Sequence, residues 1–167
     1  MRLTTRGQYA VSAMVDLSRH QGDGPVTLGV ISERQYISLS YLEQLFRRLR
    51  ENGLVRSVRG PGGGYLLNNQ ANDISVADVI RAVDEPIRTT VCRDAMPGCH
   101  NGKRCATHNL WISLRQHIFR FLDVVTLEDV TRGRVSLSDI ELSPVGENDP
   151  NAVTDSEHHQ IAAVSGS

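Results

Sequence analysis

The chain has few aromatic residues, almost no lysine and no long apolar stretch, and each shortage excludes something. Aromatics make up 5% of its 167 residues, with a single Trp, so any core is built mostly from aliphatic side chains. No apolar run approaches the ~18 residues that a membrane-spanning helix needs. The opening, MRLTTRGQYAVSAM, lacks the apolar stretch of a secretory signal. A cytoplasmic protein with no membrane partner is therefore expected. The cysteines are three, Cys92, Cys99 and Cys105. That odd, tight cluster argues against a disulfide scaffold and for metal or thiol chemistry in a reducing compartment. Neither an acid/base pair nor a nucleophile elbow stands out, so an enzyme is not expected.

The shortage of lysine makes the charge pattern informative. Lys103 is the one lysine among eighteen basic residues, and the rest are Arg. The net charge of −1 is the sum of two unlike parts. Residues 1–65 carry nine Arg against five acids, a balance of +4, and the remainder of the chain stands at −5. The planar fork of Arg grips a phosphate or a guanine edge with two bonds. A basic N-terminal part on an otherwise acidic chain points to nucleic acid.

Apolar spacing predicts a helix over 4–20, capped by Thr4 or Thr5, with Ala10, Ala13, Met14 and Leu17 on one face. A loop at Gly22, Gly24 and Pro25 leads to a short helix over 28–34 behind Thr27. The next helix, 39–52, carries Leu42, Leu45, Phe46 and Leu49 and stops at Asn52-Gly53. The period then changes: residues 54–59, the run GPGGG at 60–64, and Tyr65-Leu66-Leu67 read as strand, turn, strand. Ser75-x-x-Asp78 opens a capped helix to about Ala82, and Thr126-x-x-Asp129 caps a last short turn.

Helix, short helix, helix and a glycine-rich hairpin are the order of a winged helix-turn-helix, in which the helix after the turn lies in the major groove. Burying the apolar face of 39–52 leaves Ser40, Tyr41, Glu43, Gln44, Arg47 and Arg48 facing outward, with Arg56 and Arg59 on or beside the wing. Gln pairs with adenine, Glu accepts from cytosine, and Ser suits either kind of edge. Glu43 has two readings. A helix beginning at Ser40 ties it into a capping box, whereas a helix beginning at Ser38 frees it to face a base. GPGGG lacks the Gly-Lys-Ser/Thr ending of a phosphate loop and reads as a tight wing turn.

Cys92-x6-Cys99-x5-Cys105-x2-His108 supplies three thiolates and one imidazole, a complete four-ligand set for zinc or an iron–sulfur cluster. The wide loops favour iron–sulfur over zinc, with redox thiols third. Cys105 and His108 stand one helical turn apart. A neutral His in place of a fourth thiolate raises the reduction potential of a [2Fe–2S] centre. Beyond it, a helix over 108–125 places Leu110, Trp111, Leu114, Ile118, Phe121, Leu122 and Val125 on one side. At 1.5 Å per residue it spans roughly 27 Å, more than one small winged domain covers, which points to pairing with the same helix of a second subunit.

The expected fold is thus mainly α: a winged helix-turn-helix DNA-binding domain over 1–84, a cluster-binding loop over 85–107, a dimerisation helix with its short capped turn over 108–130, and a disordered acidic tail over 131–167.

The stretches MRLTTRGQYAVSAMVDL, ISERQYISLSYLEQLFRRLRENGLVRSVRGPGGGYLL, SVADVIRAVDE and CATHNLW together resemble the Rrf2 family of winged-helix regulators, in particular its iron–sulfur regulators. The resemblance covers about residues 1–130. It implies a homodimer on double-stranded promoter DNA that holds a [2Fe–2S] cluster at Cys92, Cys99, Cys105 and His108. The assembly machinery for such clusters would be the donor. It implies a reading helix within 28–51, with Ser38, Ser40, Tyr41, Glu43 and Gln44 as candidate DNA contacts and Arg59 on the wing. Similar proteins repress iron–sulfur assembly operons when loaded, and their apo forms still act at a second class of site as activator or repressor. One departure is visible: the family's first two cysteines are normally one residue closer than here, the added residue falling in RDAMPG.

Overall fold

Ala10, Ala13, Met14 and Leu17 recur at helical spacing, and in the structure, a computed structural model, all four are fully buried on α1 (Thr5–His20). The structure describes residues 5–83 and 105–135. Most of the expected cluster loop, with Cys92 and Cys99, and the acidic tail from 136 onward lie outside the described residues.

A 3₁₀ turn at Gln21–Asp23 and the extended residue Val26 lead into α2 (Leu28–Gln35). The Thr27 hydroxyl oxygen caps that helix by accepting the Val30 N–H at 3.3 Å. The helix ends in a left-handed residue, and here it is Tyr36, with φ at 56°. No other non-glycine residue among those described has a positive φ. α3 (Leu39–Glu51) follows, with Leu42, Leu45, Phe46 and Leu49 buried as their spacing requires. It stops at Asn52, whose side-chain amide donates to the carbonyls of Arg48 at 2.9 Å and Ala82 at 3.2 Å.

The hairpin is β1 (Val55–Val58) against β2 (Gly64–Leu67), antiparallel, with Val55 opposite Leu67 and Val58 opposite Gly64. Val26 adds a single bridge on the far side of β2, exchanging both hydrogen bonds with Tyr65 at 3.0 and 2.8 Å. The approach is so close that a Cβ on Gly64 would sit 2.5 Å from the Val26 carbonyl oxygen. Glycine is a steric necessity there. Phe46 meets the Tyr65 ring edge-on at 5.0 Å between centroids, tying α3 to the hairpin.

α4 (Val76–Ala82) opens with the expected Ser75/Asp78 capping box, and α6 (Leu127–Arg132) with its Thr126/Asp129 counterpart. Both the hydroxyl and the N–H of Thr126 donate to the Asp129 carboxylate, which holds that carboxyl below its ordinary value. Between them runs α5 (His108–Val124). Its exit is stitched to the entry of α4: the Val76 N–H donates to the Val125 carbonyl at 2.8 Å and the Leu127 N–H to the Ile74 carbonyl at 2.9 Å. Leu127 is fully buried in the same core as the α1 residues. Arg81 on α4 bonds Asp123 on α5 at 2.7 Å and lies 5.7 Å from the Phe119 ring centroid. The Asp123 hydrogen bond raises the Arg81 pKa. At half exposure this contact orients the two helices more than it stabilises them.

Among the described residues one carboxylate is buried in the core. Asp16, 3% exposed, accepts from Arg34 Nε at 3.0 Å and Nη2 at 2.6 Å, and from the Gln35 amide at 3.0 Å. Such a forked pair fixes direction as well as distance. Asp16→Ala strands the three N–H donors of Arg34 and Gln35 at a half-buried site and is expected to cost about 3 kcal/mol. A lowered urea midpoint at unchanged m-value checks this; adding Arg34→Met is expected to recover part of the loss.

Candidate nucleic-acid interface and metal centre

The start of α3 resolves the two readings of Glu43. The N-cap is Ser38, whose carbonyl accepts the N–H groups of Tyr41 and Leu42 at 3.1 and 3.0 Å. Ser40 is therefore inside the helix, and no capping box holds Glu43. Its carboxylate is exposed and makes no hydrogen bond or ion pair among the described residues. Ser38, Ser40, Gln44 and Arg47 are exposed as well. With 3.6 residues per turn, Ser40, Glu43, Gln44 and Arg47 form one stripe opposite the buried leucines.

Two residues expected on that stripe are placed differently. Tyr41 is half-buried, its ring edge-on to Tyr9 at 6.0 Å between centroids, so it buttresses α3 against α1 and shows only part of its surface. Arg48 is half-buried and donates to the Val83 carbonyl at 3.4 Å. An i+1 neighbour of an outward Arg turns about 100° round the helix, which carries Arg48 toward α4. Sequence reasoning passed over Arg50, which continues the stripe three residues after Arg47, and Tyr9, which no local pattern marks. Arg50 is exposed and Tyr9 is 37% exposed.

On the hairpin, Arg56 and Arg59 are exposed. Together with Arg47 and Arg50 they make no ion pair among the described residues. The head, α1 to β2, thus presents four exposed arginines with no ion pair among the described residues, and the outward stripe of α3 carries the bare carboxylate of Glu43. Exposed arginines of this kind attract phosphate, and a bare carboxylate can accept from a base-edge donor such as the cytosine amino group.

Of the four expected metal ligands, two are described, one turn apart at the start of α5. Cys105 is partly exposed, and its carbonyl accepts the His108 N–H at 3.0 Å. His108, the first residue of α5, is 9% exposed. The Cys105 thiol lies 3.6 Å from the Thr107 hydroxyl, which also accepts from the Trp111 indole at 3.2 Å. The described residues alone contain no cluster of three or more metal-binding side chains.

Along α5 the expected apolar side divides in two. Ile118, Phe121 and Leu122 pack with Val76, Ile80 and the buried Val125. Leu110 is 60% exposed, and Trp111 and Leu114 are only half-covered. No helix among the described residues is long and apolar enough to cross a membrane.

The Rrf2 family, described as iron-dependent transcriptional regulators, matches residues 3–133. The HTH-type transcriptional regulator IscR of Pectobacterium carotovorum subsp. carotovorum (strain PC1) is 57% identical over 134 residues, covering 80% of this chain and 81% of that protein. Among solved structures, T. potens IscR superposes with a TM-score of 0.66 at 39% identity, over 81% of this chain and 89% of that one. CymR, the global cysteine regulator of B. subtilis, superposes with a TM-score of 0.66 at 36% identity, over 80% and 98%. These relatives regulate transcription and are not enzymes. With the family matched across both the head and α5, this chain belongs to the Rrf2 family of iron-dependent transcriptional regulators.

Proposed function

We propose that the chain is a cytosolic, iron–sulfur-sensing regulator that grips promoter DNA as a homodimer. Cluster occupancy sets which sites it chooses, including repression at genes for iron–sulfur assembly and activation or repression elsewhere. The observation that carries this reading is the position of Cys105 and His108 on the turn that opens α5, the helix whose other end is stitched to the head. A thiolate and an imidazole in one turn suit a [2Fe–2S] centre, with Cys92 and Cys99 as the remaining ligands. A bound cluster would supply one-electron redox chemistry and a tie between the 92–105 segment and α5.

The chain's own residues would do the rest. Cys105 and His108 fix the start of α5. The exposed Leu110 and the half-covered Trp111 and Leu114 meet the same residues of a second copy, and the stitch at Ile74–Val76 passes the helix direction to the head. Two heads then stand at a set spacing on a two-fold site. Ligation at the turn biases that spacing only as far as the two arrangements differ in affinity for the ligand. On the DNA, Arg47, Arg50, Arg56 and Arg59 neutralise phosphates, while Ser38, Ser40, Glu43 and Gln44 face base edges.

Air-free purification with iron, sulfide and zinc counted per chain tests the sensing half. About two irons and two sulfides are expected, and Cys105→Ala is expected to abolish the visible absorbance. Colourless, iron-free protein that resists reconstitution, or zinc alone, overturns it. For the DNA half, Glu43→Ala is expected to relax discrimination at one base position while total affinity falls less than tenfold. Arg59→Ala is expected to weaken binding to all sequences and to reduce the salt slope by about 1. Both are read in binding isotherms on base-substituted duplexes across salt concentrations. For the dimer, Leu114→Glu buries a carboxylate at the shared face and is expected to yield monomers in analytical ultracentrifugation, with DNA affinity lowered at least tenfold.

A further inference from the structure

Tyr36 is the most exposed large hydrophobic residue described, at 93%. It also adopts the left-handed backbone conformation, with φ 56° and ψ 36°, that glycine or asparagine normally takes at the end of a helix. A bulky L side chain there works against its own backbone. Its ring makes no hydrogen bond, ring contact or ion pair among the described residues. Folding therefore gains nothing from the side chain and is opposed by the conformation.

That conformation is nevertheless held from both sides. Before it, the Gln35 amide is bound to the buried Asp16. After it, Ile37 is buried at 3% exposure, and its carbonyl accepts the Ser32 hydroxyl at 2.6 Å. The backbone of the turn is pinned, so the direction in which Tyr36 leaves the protein is set even though its ring is bare. The ring emerges two residues before Ser38, at the end of α3 that carries the outward Ser40 and Glu43. Leu39, the first residue of that helix, is 45% exposed.

We propose that Tyr36 is a contact to the DNA sugar–phosphate backbone beside the groove that α3 enters, a reading that rests on the proposed DNA-binding function. The phenol suits that place: its hydroxyl donates to a phosphate oxygen and its ring lies against the deoxyribose. Tyr is among the residues that make such positioning contacts. Being neutral, it releases no counterion, so its contribution is independent of salt. Touching backbone and not bases, it acts alike on every sequence.

The test uses the full chain and a duplex that the purified wild-type protein enriches from a random-sequence pool, with a scrambled duplex alongside. Tyr36→Gly removes the ring and relaxes the backbone. It is expected to fold with an equal or higher Tm and to bind both duplexes about tenfold more weakly, with unchanged salt slope. Tyr36→Ala keeps the strained backbone, so it is expected to melt below Tyr36→Gly while showing the same binding deficit. Tyr36→Phe is expected to lose about threefold, the share of the hydroxyl. Undiminished binding by Tyr36→Gly overturns the proposal. So does a loss confined to the enriched duplex, which would make the residue a base reader, or a changed salt slope. If the wild-type chain enriches no duplex at all, the DNA-binding reading itself falls; if it does and Tyr36→Gly matches it, only this assignment falls.

Discussion

A single carboxylate inside the first helix orders the head of the molecule. Asp16 holds Arg34 and Gln35, so the last turn of α2 cannot swing away from α1, and the turn into α3 follows two residues later. A buried ion pair is a poor source of net stability beside well-packed apolar groups. What it gives is direction, because a fork of two hydrogen bonds tolerates little rotation. The wing takes its reference from the same stretch of chain. Val26, two residues ahead of α2, is hydrogen-bonded on both sides of its peptide unit to Tyr65, and Gly64 admits that closeness only because it has no Cβ. α3 and the hairpin are thus both hung from residues 26–36, and they keep their mutual pose as long as that stretch stays seated on α1.

The second organising contact is the short antiparallel pairing of Ile74–Val76 with Val125–Leu127. It joins the entry of α4 to the exit of α5 and buries Leu127 in the head's own core. The α6 turn therefore closes the head, although by sequence order it follows α5. Arg81, bridging Asp123 and lying by Phe119, keeps α5 at a defined angle to α4 at the same junction.

Much of this was legible in the chain. The apolar spacing of α1 and α3, the Thr27, Ser75 and Thr126 caps, and the glycine-rich turn each follow from local rules, and the structure places them within a residue or two. What escaped depends on partners distant in sequence. Asp16 reads as one more polar residue on α1 until Arg34, eighteen positions on, is brought against it. Arg48 reads as an outward neighbour of Arg47 until the Val83 carbonyl is there to receive it. The state of Glu43 turned on whether the helix starts at Ser38 or Ser40, a difference that side-chain types do not decide because both are serines. Tyr36 is the sharpest case, since no propensity assigns a left-handed turn to tyrosine. Of the proposed metal ligands, the helical interval between Cys105 and His108 was readable from spacing, and Cys92 and Cys99 lie outside the described residues.

The asymmetry of α5 has a consequence for how such a protein can diversify. Its exit is locked into the head by backbone hydrogen bonds, which do not depend on side-chain identity. Its entrance carries soft donor atoms on a single turn, roughly 25 Å away along the axis. Substitutions at the entrance can exchange one inorganic or thiol chemistry for another while leaving the exit, and with it the grip on a duplex, untouched. The two ends of one helix are thus separable parts, so a new signal could be fitted to an old hand.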